Sequence, residues 1–349
     1  MPKHVSYSLH QLKLIMKSIS NKLAIATPSL GLHKSHTLER KIIAAAEQGF
    51  QGIEIVFGEI ETHSQNQRIS IHAAAKEVRQ MCDDHRLQVV SLCPFENFEG
   101  NRSPIEERLK KASLWVDIAR TLGALFIQVP SQFDLSASRS EQIIVRELQQ
   151  LADLASITSP VVKIAYEPMS WGICYPTWET ALRLTRLVDR QNFGICLDTF
   201  HIGTRLWGSP LVSSGKYLNA DAHLADSLRR FLAEFPLEKL FFVQLSDAEL
   251  LDTPLSTSHP WYLEGEAAEF TWSKHARPFP LEADKGGYLP IVEILKAWVV
   301  DKGFTGWISF ESFDRRMTEE SYDPKVAAVR ARRSWEKILP LVLPVKATL

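Results

Sequence analysis

The chain has 349 residues, 45% of them hydrophobic and 23% charged, the proportions of an ordinary globular protein with a sizeable core. Its formal net charge of −1 leaves no surplus of basic groups to hold a phosphate backbone, so a nucleic-acid partner is not expected. No stretch approaches the roughly 18 uninterrupted apolar residues of a membrane span, so no membrane partner is expected either.

Residues 1–21 read as a poorly ordered N-terminal extension. The alternative, an organellar transit peptide, draws on the absence of Asp and Glu before residue 39, but Arg is absent there too. From residue 22 onward one pattern repeats: an apolar, β-rich run, a loop, then a longer stretch with helical spacing. The strand candidates are KLAIATPSL (22–30), GIEIVFG (52–58), QVVSLCPF (88–95), LFIQVP (125–130), KIAYEP (163–168), FGICLDTF (193–200), LFFVQLSD (240–247) and GWISFESF (306–313). Helices are predicted between them. The first, TLERKIIAAAEQG, starts at a Thr able to cap it and stops at a Gly. The last lies around 324–338. Eight strand-then-helix units with no run of adjacent strands predict a single (β/α)₈ barrel over residues 22–345, rather than a doubly wound sheet. The first loop, TPSLGLHKSHT, is also no GxGxxG phosphate cradle.

One connection is long. About 40 residues, roughly 248–287, separate the seventh strand from the following helix, and they leave from the face where barrels of this kind build active sites. This insertion reads as a lid. It carries Trp261, Tyr262, Trp272 and Arg277, residues able to wall and anchor a small ring-shaped acid.

Four polar residues stand at or near the ends of strands five to eight: Glu167, Asp198, Gln244 and Glu311. Any one of the carboxylates alone would pass for a helix cap or an arginine partner. Together, on consecutive strands and at one end, they make a site for a divalent cation, and oxygen donors favour Mg²⁺ or Mn²⁺ over zinc. Arg277 and Arg205 are the candidates to hold a substrate carboxylate bidentately. His201, three residues after Asp198, can accept a proton near neutral pH. Glu54 is a buried acid candidate or the partner of an arginine. Glu59 lies just beyond it, and Tyr166 and Trp171 line the pocket or pack in the core. Cys82, Cys93, Cys174 and Cys196 contain no CxxC pair, and Cys93 and Cys196 lie inside apolar runs. A disulfide framework is therefore not expected, and a reducing, cytoplasmic location is.

At AYEPMSW, NFGICLDTFHI, VQLSDAE, HPWY, WSKHAR and SFESFDRRM the chain resembles the xylose isomerase-like superfamily of TIM barrels, and within it the fungal 3-dehydroshikimate dehydratases of quinate and shikimate catabolism. The resemblance runs from about residue 22 to about 338. It implies metal-dependent dehydration of 3-dehydroshikimate to protocatechuate, a hydro-lyase reaction. Glu167, Asp198, Gln244 and Glu311 would ligate the metal, and His201 and Arg277 would stand beside the substrate. The base is left open between His201 and a ligand glutamate, since some fungal relatives carry Asn at the position of His201. Sugar epimerases of the superfamily commonly have His where this chain has Gln244. Some bacterial relatives add a C-terminal dioxygenase-like domain, and this chain is expected to hold only the first domain. The alternatives are a keto-sugar or hydroxypyruvate-type isomerase, which would use Glu167 and Glu311 as acid and base, and a metabolite-binding relative without catalysis. A monomer and a homo-oligomer are both compatible with the sequence.

Overall fold

The structure, a computed structural model, describes residues 19–157 and 159–343. The expected N-terminal extension lies outside the described residues up to residue 18. Eight parallel strands close a barrel: β1 (Leu23–Ala26), β2 (Gly52–Val56), β3 (Gln88–Cys93), β4 (Phe126–Pro130), β5 (Lys163–Glu167), β6 (Phe193–Asp198), β7 (Leu240–Leu245) and, after a two-residue strand β8 (Ala276–Arg277), the last barrel strand β9 (Trp307–Phe310). Pairing of Leu23 with Ile308 and Ile25 with Phe310 joins β1 to β9 and completes the ring.

Helices cover the outside. They are α1 (Leu38–Glu47), α2 (Phe57–Gln67), α3 (Ile71–Asp84), α4 (Ile105–Leu122), α5 (Glu141–Ser156), α6 (Trp178–Val188), α7 (Thr199–Leu206), α8 (Ala220–Glu234), α9 (Ala268–His275), α10 (Ile291–Leu295) and α11 (Pro324–Val342). Thr37 caps α1 as its sequence predicts, its hydroxyl accepting from the Arg40 N–H. Two helices depart from the expected loops. α2 follows β2 directly, and it buries only Phe57 and Ile60, too little apolar spacing to read. α7 follows β6 directly because the Asp198 side chain accepts the Phe200 N–H and caps it.

The barrel interior is layered. Successive residues of a strand face opposite ways, so positions two apart share a face. Ala24, Val90, Phe126, Ala165, Cys196 and Phe242 fill an apolar layer, with Trp307 packed against it. Glycine is required beside the largest rings: a Cβ on Gly52 would lie 2.7 Å from the Trp307 ring, and one on Gly194 would lie 2.6 Å from Phe241. Two residues nearer the C-terminal rim the same strands carry Gln128, Glu167, Asp198 and Gln244.

The long connection after β7 is folded. It contains α9 and β8, and β8 pairs antiparallel with β10 (Phe313–Asp314). Its two ends are pinned by the buried Asp247 carboxylate, which accepts from the N–H groups of Ala248 (2.8 Å), Leu281 (3.2 Å), Tyr288 (2.9 Å) and Leu289 (2.8 Å). Glu249 adds ion pairs to Arg315 and Arg316 just beyond β10. This frame brings Arg277 into the barrel mouth.

Candidate active site

Glu167 ends β5, Asp198 ends β6, Gln244 is the fifth of six residues in β7, and Glu311 follows β9. Asp198 and Gln244 are direct neighbours in the sheet register, and Gln244 is the neighbour of Ser309. All four side chains are buried.

Arg277 joins two of them. Its Nη2 donates to Asp198 Oδ2, to Ser246 Oγ (2.7 Å), and to the side-chain and main-chain oxygens of Glu311 (3.1 Å each). Its guanidinium also packs against the rings of Phe200 and Phe313, at 4.5 and 4.9 Å. Burial pushes the Asp198 carboxyl up, but Arg277, His201 and the donors Phe200 N–H and Ser246 outweigh it and hold it below its usual range. At Glu311 burial wins: its carboxyl is pushed well above the usual range despite Arg277, with the other site acids adding to the rise.

The other acids are oriented by amides. Gln128 Nε2 donates to Glu167 Oε2. Gln244 Nε2 donates to both oxygens of Glu54, at 3.1 and 3.3 Å, and its Oε1 accepts from the Cys196 thiol at 3.2 Å. Glu54 therefore has an amide partner rather than an arginine. Burial raises its carboxyl to about 7.

The remaining oxygen of Glu167, Oε1, lies 3.4 Å from His201 Nε2, and neither atom has a hydrogen-bond partner. His201 Nδ1 accepts the Ser170 N–H at 3.2 Å. A neutral imidazole held this way carries its proton on Nε2, aimed at Glu167. One side-chain atom each of Glu167, Asp198 and His201 lies within 4.8 Å of the others, and with His201 Nε2 protonated the two carboxylates are the groups free to ligate. Buried donor atoms left unpaired cost free energy, so this group is built for something that completes it. A divalent cation fits the carboxylate-rich donor set.

A cavity of about 370 Å³ opens onto these groups. Glu167, Gln128, Glu311 and Arg277 line it, together with Trp171, Phe270 and Phe313. Asp198, His201 and Gln244 do not line it. Trp171 and Phe270 form an aromatic wall, with ring centroids 5.0 Å apart, and the Trp171 edge meets His201 at 4.7 Å. The structure thus brings Arg277, Glu167, Glu311 and Trp171 together.

Four other side chains are placed elsewhere. Arg205 reaches only the Ser170 carbonyl, at 3.4 Å, and does not line the cavity. Trp272 is wholly buried beneath the long connection with Phe200, Leu255 and Leu289, its Nε1–H donating to the Glu249 carbonyl. Tyr262 is exposed and is not part of the cavity lining. Tyr166 points out of the barrel to Glu99 (2.9 Å). Sequence reasoning missed Gln128, although it stands as a lone amide inside the apolar run LFIQVP just as Gln244 does inside LFFVQL. Phe270 carried no signal of its own.

The fold and the acidic rim define a barrel enzyme class, and comparison gives its family. The chain belongs to the xylose isomerase-like TIM barrel family, whose model matches residues 42–338. It is 36% identical over 347 residues to a 3-dehydroshikimate dehydratase of Neurospora crassa, covering 94% of this chain and 97% of that protein. It is 31% identical over 294 residues to a 3-dehydroshikimate dehydratase of Pseudomonas aeruginosa, covering 83% of this chain but only 38% of that longer protein. Among solved structures it superposes on a xylose isomerase-like TIM barrel/4-hydroxyphenylpyruvate dioxygenase fusion protein with a TM-score of 0.68 and 26% identity, over 90% of this chain and 42% of that one.

Proposed function

We propose that this chain is a metal-dependent hydro-lyase that converts 3-dehydroshikimate to protocatechuate and water. The observation that carries the reading is the unpartnered Glu167–His201 pair beside Asp198, at an aromatic-walled cavity, in a chain 36% identical to a dehydratase of that name. Glu167, Asp198, Gln244 and Glu311 would hold the ion, Mg²⁺ or Mn²⁺. A divalent ion there supplies Lewis-acid stabilisation, worth several kcal/mol, to negative charge developing on the ring ketone oxygen.

The chain's own groups do the rest. The acidic C–H lies between the ring ketone and the carbon whose hydroxyl leaves. Glu167 Oε1 takes that proton, and the Nε2–H of His201 steadies the carboxylate that receives it. The electron pair moves into the ring, the neighbouring C–O bond breaks, and the hydroxide takes the proton held by Glu167 and departs as water. Loss of a ring CH₂ proton and protonation of the ketone oxygen then give the aromatic diol. Arg277 offsets the charge of Asp198 and Glu311 throughout. Trp171 and Phe270 cover the flat ring and exclude water, and residues 248–287 act as a lid that carries Phe270 and Arg277. The enzyme works in the cytoplasm. All four cysteines are free thiols, the state a reducing compartment keeps.

The test is incubation of the metal-loaded protein with 3-dehydroshikimate. Growth of the catechol ultraviolet band, with a product one water lighter by mass, is the expected result. Folded, metal-loaded protein that yields no catechol would overturn the reading and favour the keto-sugar isomerases.

A further inference from the structure

A ring acid entering this cavity needs a cation for its carboxylate, and the cavity lining offers two: Arg277 and Lys274. Arg277 is already committed. Its Nη2 serves Asp198, Ser246 and Glu311, its Nη1 donates to Ser273 Oγ (3.1 Å), and its guanidinium packs against two aromatic rings, which leaves only the buried Nε without a partner. Turning its Nη2 to a third carboxylate would take the cation away from two buried carboxylates, leaving Asp198 with only the Phe200 N–H and the Ser246 hydroxyl.

Lys274 has the opposite character. It is about one-third exposed and pairs with Glu266 at 2.7 Å, on a flexible stem able to change partner. Its ammonium sits over the Phe270 ring, 4.8 Å from the centroid. Phe270 packs on Trp171, and Trp171 meets His201, so one wall runs from a cation to the Glu167–His201 pair. In 3-dehydroshikimate the carboxylate lies across the six-membered ring from the acidic C–H. The carboxylate and the acidic C–H of the substrate thus each have a group of the fitting kind at one end of the wall.

We infer that Lys274 is the specificity residue for the ring carboxylate, exchanging Glu266 for it when the substrate binds. This rests on the dehydratase reading above. The exchange selects cyclic acids over neutral sugars of similar size. Glu266 is not stranded by it, since Thr271 Oγ1 still donates to its carboxylate.

Protocatechuate and catechol differ only in the carboxylate, so they isolate the contact. Their Kd values are measured on the metal-loaded protein by isothermal titration calorimetry, for the wild type, K274M, K274R and E266Q. A hydrogen bond to a charged group contributes about 1.5–3 kcal/mol, so the wild type should prefer protocatechuate roughly ten- to a hundredfold. K274M should lose that preference while keeping its catechol affinity, and K274R should retain most of it. E266Q, with Lys274 released, should bind protocatechuate severalfold tighter. With 3-dehydroshikimate, K274M should raise KM about tenfold or more and change kcat far less. K274M with undiminished protocatechuate binding and wild-type KM would overturn the assignment while leaving the dehydratase reading intact. A wild-type protein that binds neither ring and turns over no substrate would overturn both.

Discussion

The two halves of the barrel end differently at the same rim. The strands and turns of the first half bring Pro28, Val56, Cys93, Pro94 and Pro130 to the cavity, a mostly apolar side with Glu96 and Gln128 as its polar members, whereas the second half ends in Glu167, Asp198, Gln244 and Glu311. One layer deeper the distinction vanishes, because Val90 and Phe126 share an apolar plug with Ala165, Cys196 and Phe242. Chemistry has been added to this fold over about two residues per strand, mainly on one side. The polar half does not stand alone. Gln128 of β4 orients Glu167, and Glu54 of β2 fixes the amide of Gln244 from across the lumen. The first half therefore supplies hydrogen-bond partners and most of the dry wall, and the second supplies most of the carboxylates and Arg277.

That division can be broken most severely from the acidic side. Asp198→Asn exchanges one oxygen of a proposed ligand for an NH₂ and removes the charge that Arg277 pairs with, and kcat should fall on the order of a thousandfold, the equivalent of several kcal/mol. Steady-state rates by catechol absorbance check this. A protein within tenfold of wild type would mean that the charge of the second half is not what the reaction uses.

Arg330→Leu attacks the frame instead. Arg330 pairs with Glu282 (2.7 Å) and with the fully buried Asp314 of β10 (2.6 Å), the strand that holds β8 and so Arg277. Glu282 loses its only arginine and Asp314 keeps only Arg316, and stability should drop by about 3 kcal/mol in chemical denaturation. Gln128→Leu tests the supporting role of the first half. It leaves every proposed ligand in place, and activity should fall about 10- to 100-fold, as for other residues that orient a ligand.

His201 offers a sharper distinction. If its Nε2–H serves Glu167, His201→Asn keeps a donor and should stay well above His201→Leu in kcat. Equal losses in both variants would show that the imidazole itself is the base.

The smallest effect belongs to Glu99, whose carboxyl burial raises to about 7 while it accepts from the Gln132 N–H and the Tyr166 hydroxyl. The folded protein holds this proton more tightly than the unfolded chain. The associated stability is fully present below the ordinary glutamate range near 4.5 and is lost as pH rises through about 7. Glu99→Gln should flatten Tm between pH 5 and 8, and an unchanged slope in thermal melts would contradict the assignment.

Much of this was legible in the chain because strands of a closed parallel barrel are buried on both faces. KIAYEP, FGICLDTF and LFFVQLSD are continuous apolar runs, and a carboxylate or amide closing such a run stands out. What stayed hidden depends on contacts far apart in sequence. Glu54 meets Gln244 across 190 positions, a pairing no local pattern encodes. Trp272 and Phe270 lie two residues apart in one helix, yet the first is sealed in a core and the second lines the cavity. Spacing within a short helix could not decide which faced the substrate. α2 escaped notice because it buries so little.

The most direct test is to strip the protein with a chelator and titrate Mn²⁺ back while following catechol formation from 3-dehydroshikimate, in the wild type and in Asp198→Asn. The account predicts no activity when stripped, recovery that saturates with bound Mn²⁺ in the wild type, and no recovery in the variant. Full activity of the stripped wild type, or recovery in Asp198→Asn at the same Mn²⁺ concentration, would contradict a metal site built on the second half of the barrel.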